Sequence, residues 1–190
     1  KSYVYLLSIL LFAGAQNVAA ARKTIHIHRV DTSPIIDGSL DDAAWATAES
    51  ATDFYRFQPE SGGHAPLKTT VKFLYDDVAI YVAANMYDPD PESIPTQLGK
   101  RDDDEALADW LGIWFNPFND GANELNFAVT AAGAQIDRKF SPNGNDDNWN
   151  PVWSSDIAIT DQGWSLEMAI PFSQIRFPAK DVQTWGVNIG

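Results

Sequence analysis

The sequence predicts an all-β domain: a two-sheet antiparallel β-sandwich, jelly-roll or immunoglobulin-like, with short helical turns. Three observations predict it. Short segments with apolar side chains at every second position recur along the chain. Clusters of Gly, Pro, Asp and Asn separate them, the residues that tight turns require. No stretch carries the 3.6-residue apolar period of a long amphipathic helix. Many short strands punctuated in this way close into a sandwich or a barrel.

The first element, residues 1–21, stands apart. Lys1 leads an apolar run over residues 3–13, and small residues continue to Ala19, Ala20 and Ala21 before Arg22. A basic start, a short apolar centre and a small-residue end describe a secretory signal peptide, cleaved after Ala19 or Ala21. The run is shorter than the roughly 20 residues of a spanning helix. Residues 22–34 contain a leading strand over 24–30 (TIHIHRV), where His26 and His28 share one face with no third metal ligand near them. Residues 35–190 make one domain, which ends inside an apparent strand and is therefore expected to be truncated.

Within that domain Asp37-Gly38 is a turn signal, and Asp41 is placed to cap a short helix running to Ala48. Trp45 on that helix is expected to plug the end of a core. Residues 52–58 read as a strand and 59–66 as a Gly/Pro-rich loop. Residues 68–75 and 79–87 pair about Asp76-Asp77, and Asp88-Pro89-Asp90-Pro91 ends the second of them. Residues 105–108 read as a helical turn and 109–116 as a strand. Residues 124–130 alternate, with Leu125, Phe127 and Val129 inward and Glu124, Asn126, Ala128 and Thr130 outward. A strand follows over 134–140, then a polar loop over 141–151. Residues 156–160 and 164–170 form a hairpin with Trp164, Leu166, Met168 and Ile170 on one face. A helical turn over 171–175 and a strand over 185–189 complete the chain.

The composition narrows the function. Net charge is −13, which repels phosphate backbones and makes nucleic acid a poor partner. Without cysteine the chain has no disulfide, thiolate metal site or cysteine nucleophile. No Ser-His-Asp signature or Gly-rich phosphate loop is present, and no two acids have the forced opposition that glycoside hydrolysis needs, so no catalytic residue is assigned. Seven Trp, six Tyr and ten Phe are many for this length, and aromatics serve both strands and sugar-binding surfaces.

The stretch 109–116 concentrates that aromatic content. Leu111, Ile113 and Phe115 fall on one face and suit a core. Trp110, Gly112, Trp114 and Asn116 fall on the other: two indoles roughly 13 Å apart along the strand, with Gly112 leaving a recess between them. Asn116, Asn126 and Thr130 are candidates for hydrogen bonds beside it, and Trp149 and Trp153 for a wall. Sugar C–H faces stack on aromatic rings while hydroxyls need polar partners, so these residues suit a neutral glycan. The same tryptophans also suit packing under long loops or against another part of the protein. Asp88, Asp90, Asp102 and Asp109, with Asp103 and Asp104 in the same loop, are candidate calcium ligands, and solvated surface acids account for them equally well.

Motif order adds a resemblance. Ile36-Asp37-Gly38 with Leu40, Asp42 and Trp45 comes first, then Phe73-Leu74-Tyr75-Asp76-Asp77 with Ile80-Tyr81-Val82. Asp88-Pro89-Asp90, Arg101-Asp102 and Asp109 follow. Gly163-Trp164, Glu167, Ile170-Pro171-Phe172 and Trp185-Gly186 complete the series. In this order they resemble family 9 carbohydrate-binding modules, especially the exported subgroup that precedes an outer-membrane β-barrel. The resemblance implies a two-sheet sandwich, an extracytoplasmic location at the periplasm or cell surface, and sugar binding linked to polysaccharide catabolism. It also implies calcium in some members and frequent association with glycoside hydrolases. The positions matching the family's sugar contacts hold Ala106, Gly112, Ala128 and Thr130, so the Trp110 face would be a rebuilt platform. The alternative is a ligand-free scaffold domain that docks on its own downstream barrel.

Overall fold

The structure, a computed structural model, describes residues 23–56, 62–103 and 105–190. The expected signal peptide lies outside them, as do Phe57, Gln58 and Asp104. Two sheets face each other. In the larger, strands β1 (His28–Arg29), β3 (Thr69–Tyr75), β4 (Ala79–Tyr87), β9 (Gly163–Pro171) and β8 (Ser154–Thr160) follow in that order, with β2 (Ser50–Ala51) also on β3. In the smaller the order is β10 (Gly186–Ile189), β5 (Trp110–Asn116), β6 (Glu124–Thr130) and β7 (Gln135–Phe140). The β1–β3 pair is parallel and the others are antiparallel. The only helical elements among the described residues are 3₁₀ turns, so the predicted fold class holds.

Period-2 alternation builds the core. Val71, Phe73, Ile80, Val82, Leu166, Met168 and Ile170 point inward from the larger sheet, and Leu111, Ile113, Phe115, Phe127 and Val129 from the smaller. Phe73 meets Phe115 edge-on across the interface, centroids 6.2 Å apart.

The larger sheet is apolar on its other face too. Leu74, Ala79, Tyr81 and Ala83 lie there, and the segment 30–48 straps over them with Val30, Ile36, Leu40 and Trp45. Trp45 therefore covers the outside of a sheet instead of plugging the end of the core. Its indole N–H donates to Glu167 Oε1 at 2.7 Å, while the Asp37 and Gly38 amides donate to Oε2, each at 3.1 Å. Glu167 is wholly buried. Burial pushes its carboxyl pKa up, and these three donors pull against that rise. Gly38 has φ +81°, and a Cβ there would sit 2.6 Å from the Ile157 backbone carbon, so only glycine lets the strap lie this close.

Other expectations shift. The leading strand shrinks to two residues because the His26 amide donates to Glu49 Oε2 (3.0 Å) instead of joining a ladder. The helix becomes a 3₁₀ turn, Ala43–Thr47, preceded by Asp42 rather than Asp41. The Asp42 carboxylate takes the Ile35 amide at 2.8 Å, not an amide of the turn. Residues 105–108 form a bend rather than a helical turn: the Ala108 amide donates to Ala106 O at 2.9 Å, Ala108 bridges to Thr96, and the Asp109 amide donates to Pro95 O at 3.1 Å.

Two stability predictions follow from the strap. Glu167→Gln keeps the volume but cannot accept from both the indole and the paired amides. It should cost about 1–3 kcal/mol in urea unfolding, the penalty of a stranded buried donor. Asp76 closes the β3–β4 hairpin and ties the strap to it, accepting from the Val78 and Ala79 amides and the Ser33 and Tyr81 hydroxyls at 2.7–2.8 Å. Partial burial would raise its pKa, but the four hydrogen bonds outweigh this and bring it down to about 2. A depressed carboxyl stabilises fully above its unfolded value and stops doing so as pH falls through the folded one. The stability gap between wild type and Asp76→Asn should therefore be complete at pH 7 and close between about pH 4 and pH 2. A gap independent of pH would refute that role.

Candidate functional site

With the strap over part of the larger sheet, the outward face of the smaller sheet carries the exposed tryptophan. Its register explains the arrangement. Gly112 pairs with Ala128 on one side, and on the other exchanges hydrogen bonds with Gly190 at 2.7 and 3.1 Å. Gly190, Gly112 and Ala128 thus make a row of minimal side chains across three strands. Trp110 and Trp114 lean into that row from either side. A Cβ on Gly112 would lie 2.9 Å from Trp114 Cη2 and 3.0 Å from Trp110 Cζ3. The rings meet edge-to-face with centroids 6.0 Å apart. The expected recess at Gly112 is therefore filled, because apolar rings gain more from covering the bare backbone than from standing apart in water. Trp110 stays 50% exposed, which leaves a ring surface open.

The polar residues expected beside the pair are mostly committed to the fold. Asn116, Asn126 and Thr130 are each at most 4% exposed. Asn116 Oδ1 accepts the Asp120 amide at 3.1 Å, closing the turn after β5. Thr130 Oγ1 accepts the Ala134 amide at 3.0 Å, closing the turn after β6. Asn126 Nδ2 makes a long contact of 3.4 Å to Ile113 O.

Trp149 and Trp153 do not join this face. Both pack on Phe127, at 5.4 and 5.3 Å, and Phe127 points into the core. They plug the sandwich edge where the chain crosses from β7 to β8. Trp153 is held by its N–H to Asp137 Oδ1 at 2.9 Å. Asp137 is fully buried and also pairs with Arg101. Burial raises its pKa, against the Trp153 and Arg101 bonds. Arg101 also donates to Gln135 Oε1 (2.6 Å) and Pro151 O (3.0 Å), which fixes the loop leading to Trp110.

The four candidate calcium ligands do not converge. Asp102 Oδ1 accepts the Asp137 amide at 2.9 Å, and Asp88 Oδ1 accepts the Asp90 amide at 2.8 Å. Asp109 is close enough to Asp88 that, after partial burial, the Asp88 charge raises its pKa. Among the described residues no three His, Asp or Glu side chains come together as a metal site.

A polar pair escaped the sequence reading. Asn188 stands beside Trp114 in the β10–β5 register, and its Nδ2 donates to Glu124 Oε1 at 3.0 Å, across β5. Only strand pairing brings these positions together, 64 residues apart in sequence. Elsewhere, a hollow of about 240 Å³ at the β8–β9 turn end of the larger sheet is lined by Asn85, Met86, Tyr87, Thr160, Gln162 and Trp164. Lys68 Nζ lies over the Tyr87 ring at 4.9 Å, so that ring offers no free stacking face on that side.

A profile of the carbohydrate family 9 binding domain-like family matches residues 36–189. Two solved structures of a family 9 carbohydrate-binding module from Caldicellulosiruptor kristjanssonii are similar in fold. The one in complex with glucose is 20% identical, covering 86% of this chain and 75% of that one, with a TM-score of 0.56. The one in complex with cellotriose is 21% identical, covering 88% and 75%, with a TM-score of 0.55. A candidate carbohydrate-binding protein from Bacteroides uniformis is 13% identical, covering 86% and 80%, with a TM-score of 0.61. A comparison with curated proteins finds no significant match.

The filled row makes Gly112 a sensitive position. Gly112→Ala should force the two indoles apart, change the near-ultraviolet circular dichroism, and cost about 1–3 kcal/mol as overpacking. An unchanged spectrum and thermal midpoint would show that the rings do not meet there.

Proposed function

The chain belongs to the carbohydrate family 9 binding domain-like family, one of non-catalytic binding modules, and we propose that its Trp110 face binds a neutral glycan. One observation carries this: a half-exposed indole, braced by a second one over a floor of Gly and Ala, on an otherwise well-packed sheet face. Such a ring presents an apolar plane to the C–H face of a pyranose, and its brace limits the entropy lost on binding. The net charge of −13 favours neutral sugars over acidic ones. The glucose and cellotriose bound by the Caldicellulosiruptor modules support a gluco-configured ligand.

The proposal extends to the setting. The leader expected from the sequence at residues 1–21 and the motif order favour an exported domain at the periplasm or cell surface. There it would serve polysaccharide catabolism and be joined to an outer-membrane barrel. Binding as proposed needs no cation, and Asp88 with Asp109 is where a calcium ion would be held. A second reading, docking of this face on a partner domain, has the half-exposed Trp110 and the exposed Leu107 and Leu98 in its favour.

Affinity electrophoresis against soluble cellulose, xylan and mannan derivatives separates the two. Wild type should be retarded by at least one of them. Trp110→Ala should weaken that retention about tenfold or more, equivalent to about 1.4 kcal/mol of lost stacking. Retention by no glycan would sink the proposal in favour of docking.

A further inference from the structure

We infer that Glu124 and Asn188 form a hydroxyl-reading pair at the far end of the Trp110 face, so that the ligand is an oligosaccharide lying along β5 and not a single sugar. This rests on the glycan reading above. The geometry begins with the direction of the indoles. Trp114 leans from its own position toward Gly112 and Gly190, where its Cζ3 and Cη2 atoms lie, and Trp110 leans toward Gly112 from the other side. The stacking surface is therefore gathered at one end of β5. Asn188 pairs with Trp114, and Glu124 lies one position beyond the Phe115–Leu125 pair, opposite Asn116. The pair thus stands two to four residues along the strand from Gly112, roughly 7–13 Å at about 3.3 Å per residue. That is farther than one pyranose ring reaches from a stack on Trp110.

The pair is chemically fitted to a diol. Asn188 Nδ2 donates to Glu124 Oε1 at 3.0 Å, which fixes both groups and leaves Glu124 Oε2 and Asn188 Oδ1 with no hydrogen-bond partner among the described residues. Two neighbouring hydroxyls can donate to those oxygens, and one can accept the remaining Nδ2 hydrogen. The other amides and hydroxyl nearby are not available in this way. Asn116 and Thr130 hold turns, Asn126 is buried, and Arg138 on the same face is ion-paired with Asp147 at 3.3 Å. Glu124 and Asn188 are more accessible than Asn116, Asn126 and Thr130, so using them leaves the fold's own hydrogen bonds intact. The carboxylate also repels an acidic sugar ring placed against it.

Calorimetric titration of the intact chain with glucose, cellobiose and cellotriose, and with the matching xylose and mannose series, tests this. In the best-bound series, affinity should rise about tenfold or more from one unit to three, the equivalent of one charge-assisted hydrogen bond. Glu124→Ala and Asn188→Ala should each remove most of that rise without moving the thermal midpoint. Glu124→Gln, which keeps the size and one oxygen, should remove part of it. A wild type that binds one unit as tightly as three overturns the inference, as does a rise that survives both alanine variants. Binding of no sugar in any series overturns the glycan reading itself, and this inference with it.

Discussion

Glu167 stands on β9, between β4 and β8 in the larger sheet, where a carboxylate is tolerable only if N–H groups surround it. The segment 30–48 supplies them: two backbone amides from the Asp37-Gly38 turn and the indole of Trp45. The apolar side of the same segment covers Leu74, Tyr81 and Ala83. One residue thus couples a polar requirement to an apolar one. A strap without the carboxylate would leave its turn amides facing the sheet unpaired. A carboxylate without the strap would face water from a mostly apolar surface. Gly38 is the hinge of that arrangement, since any Cβ would strike the Ile157 backbone.

This closure decides where binding chemistry can sit. A sandwich has two outer faces, and here the strap occupies much of one. On the other, the row Gly190, Gly112 and Ala128 leaves a shallow trough that two indoles fill. The trough orients the rings and their mutual contact braces them. The half-exposed ring is then set by packing on both sides, where a lone surface tryptophan would sample several rotamers. Farther back, Arg101, Asp137 and Trp153 pin the loop that delivers the chain to Trp110.

Most of the strands were legible because alternation and turn residues are local signals. Asp76 closing a hairpin and Trp164, Leu166, Met168 and Ile170 facing one way are properties of nearby residues. The features that escape a local reading share a different origin. Trp149 and Trp153 sit in a polar loop, and nothing in their spacing says that the loop crosses the sandwich edge and packs both against Phe127. Trp45 has the neighbours of a helix plug, but its N–H answers to a carboxylate 122 residues away. Gly112 reads as a gap, since period 2 gives the direction of a side chain but not its lean. The Glu124–Asn188 pair depends on β10 lying beside β5, a pairing that no local pattern encodes. The fold was therefore readable from local pattern, whereas the site depends on cross-strand neighbours.

Those neighbours also explain why Gly112 and Ala128, positions that the sequence resemblance aligns with sugar contacts, hold small residues. Gly112 and Ala128 form the floor on which the indoles rest, so a long polar side chain at Gly112 would occupy the space where Trp110 and Trp114 meet. A braced aromatic pair and polar contacts rising from that floor are mutually exclusive on one sheet face. Once the pair is in place, hydrogen bonds to a ligand must come from beside the floor. The outward positions next to it that are not tied into turns or buried lie on β10 and at the start of β6. Small residues at Gly112 and Ala128 leave room for the braced indoles, and the carboxylate of Glu124 and the amide of Asn188 stand at the edges where that floor ends.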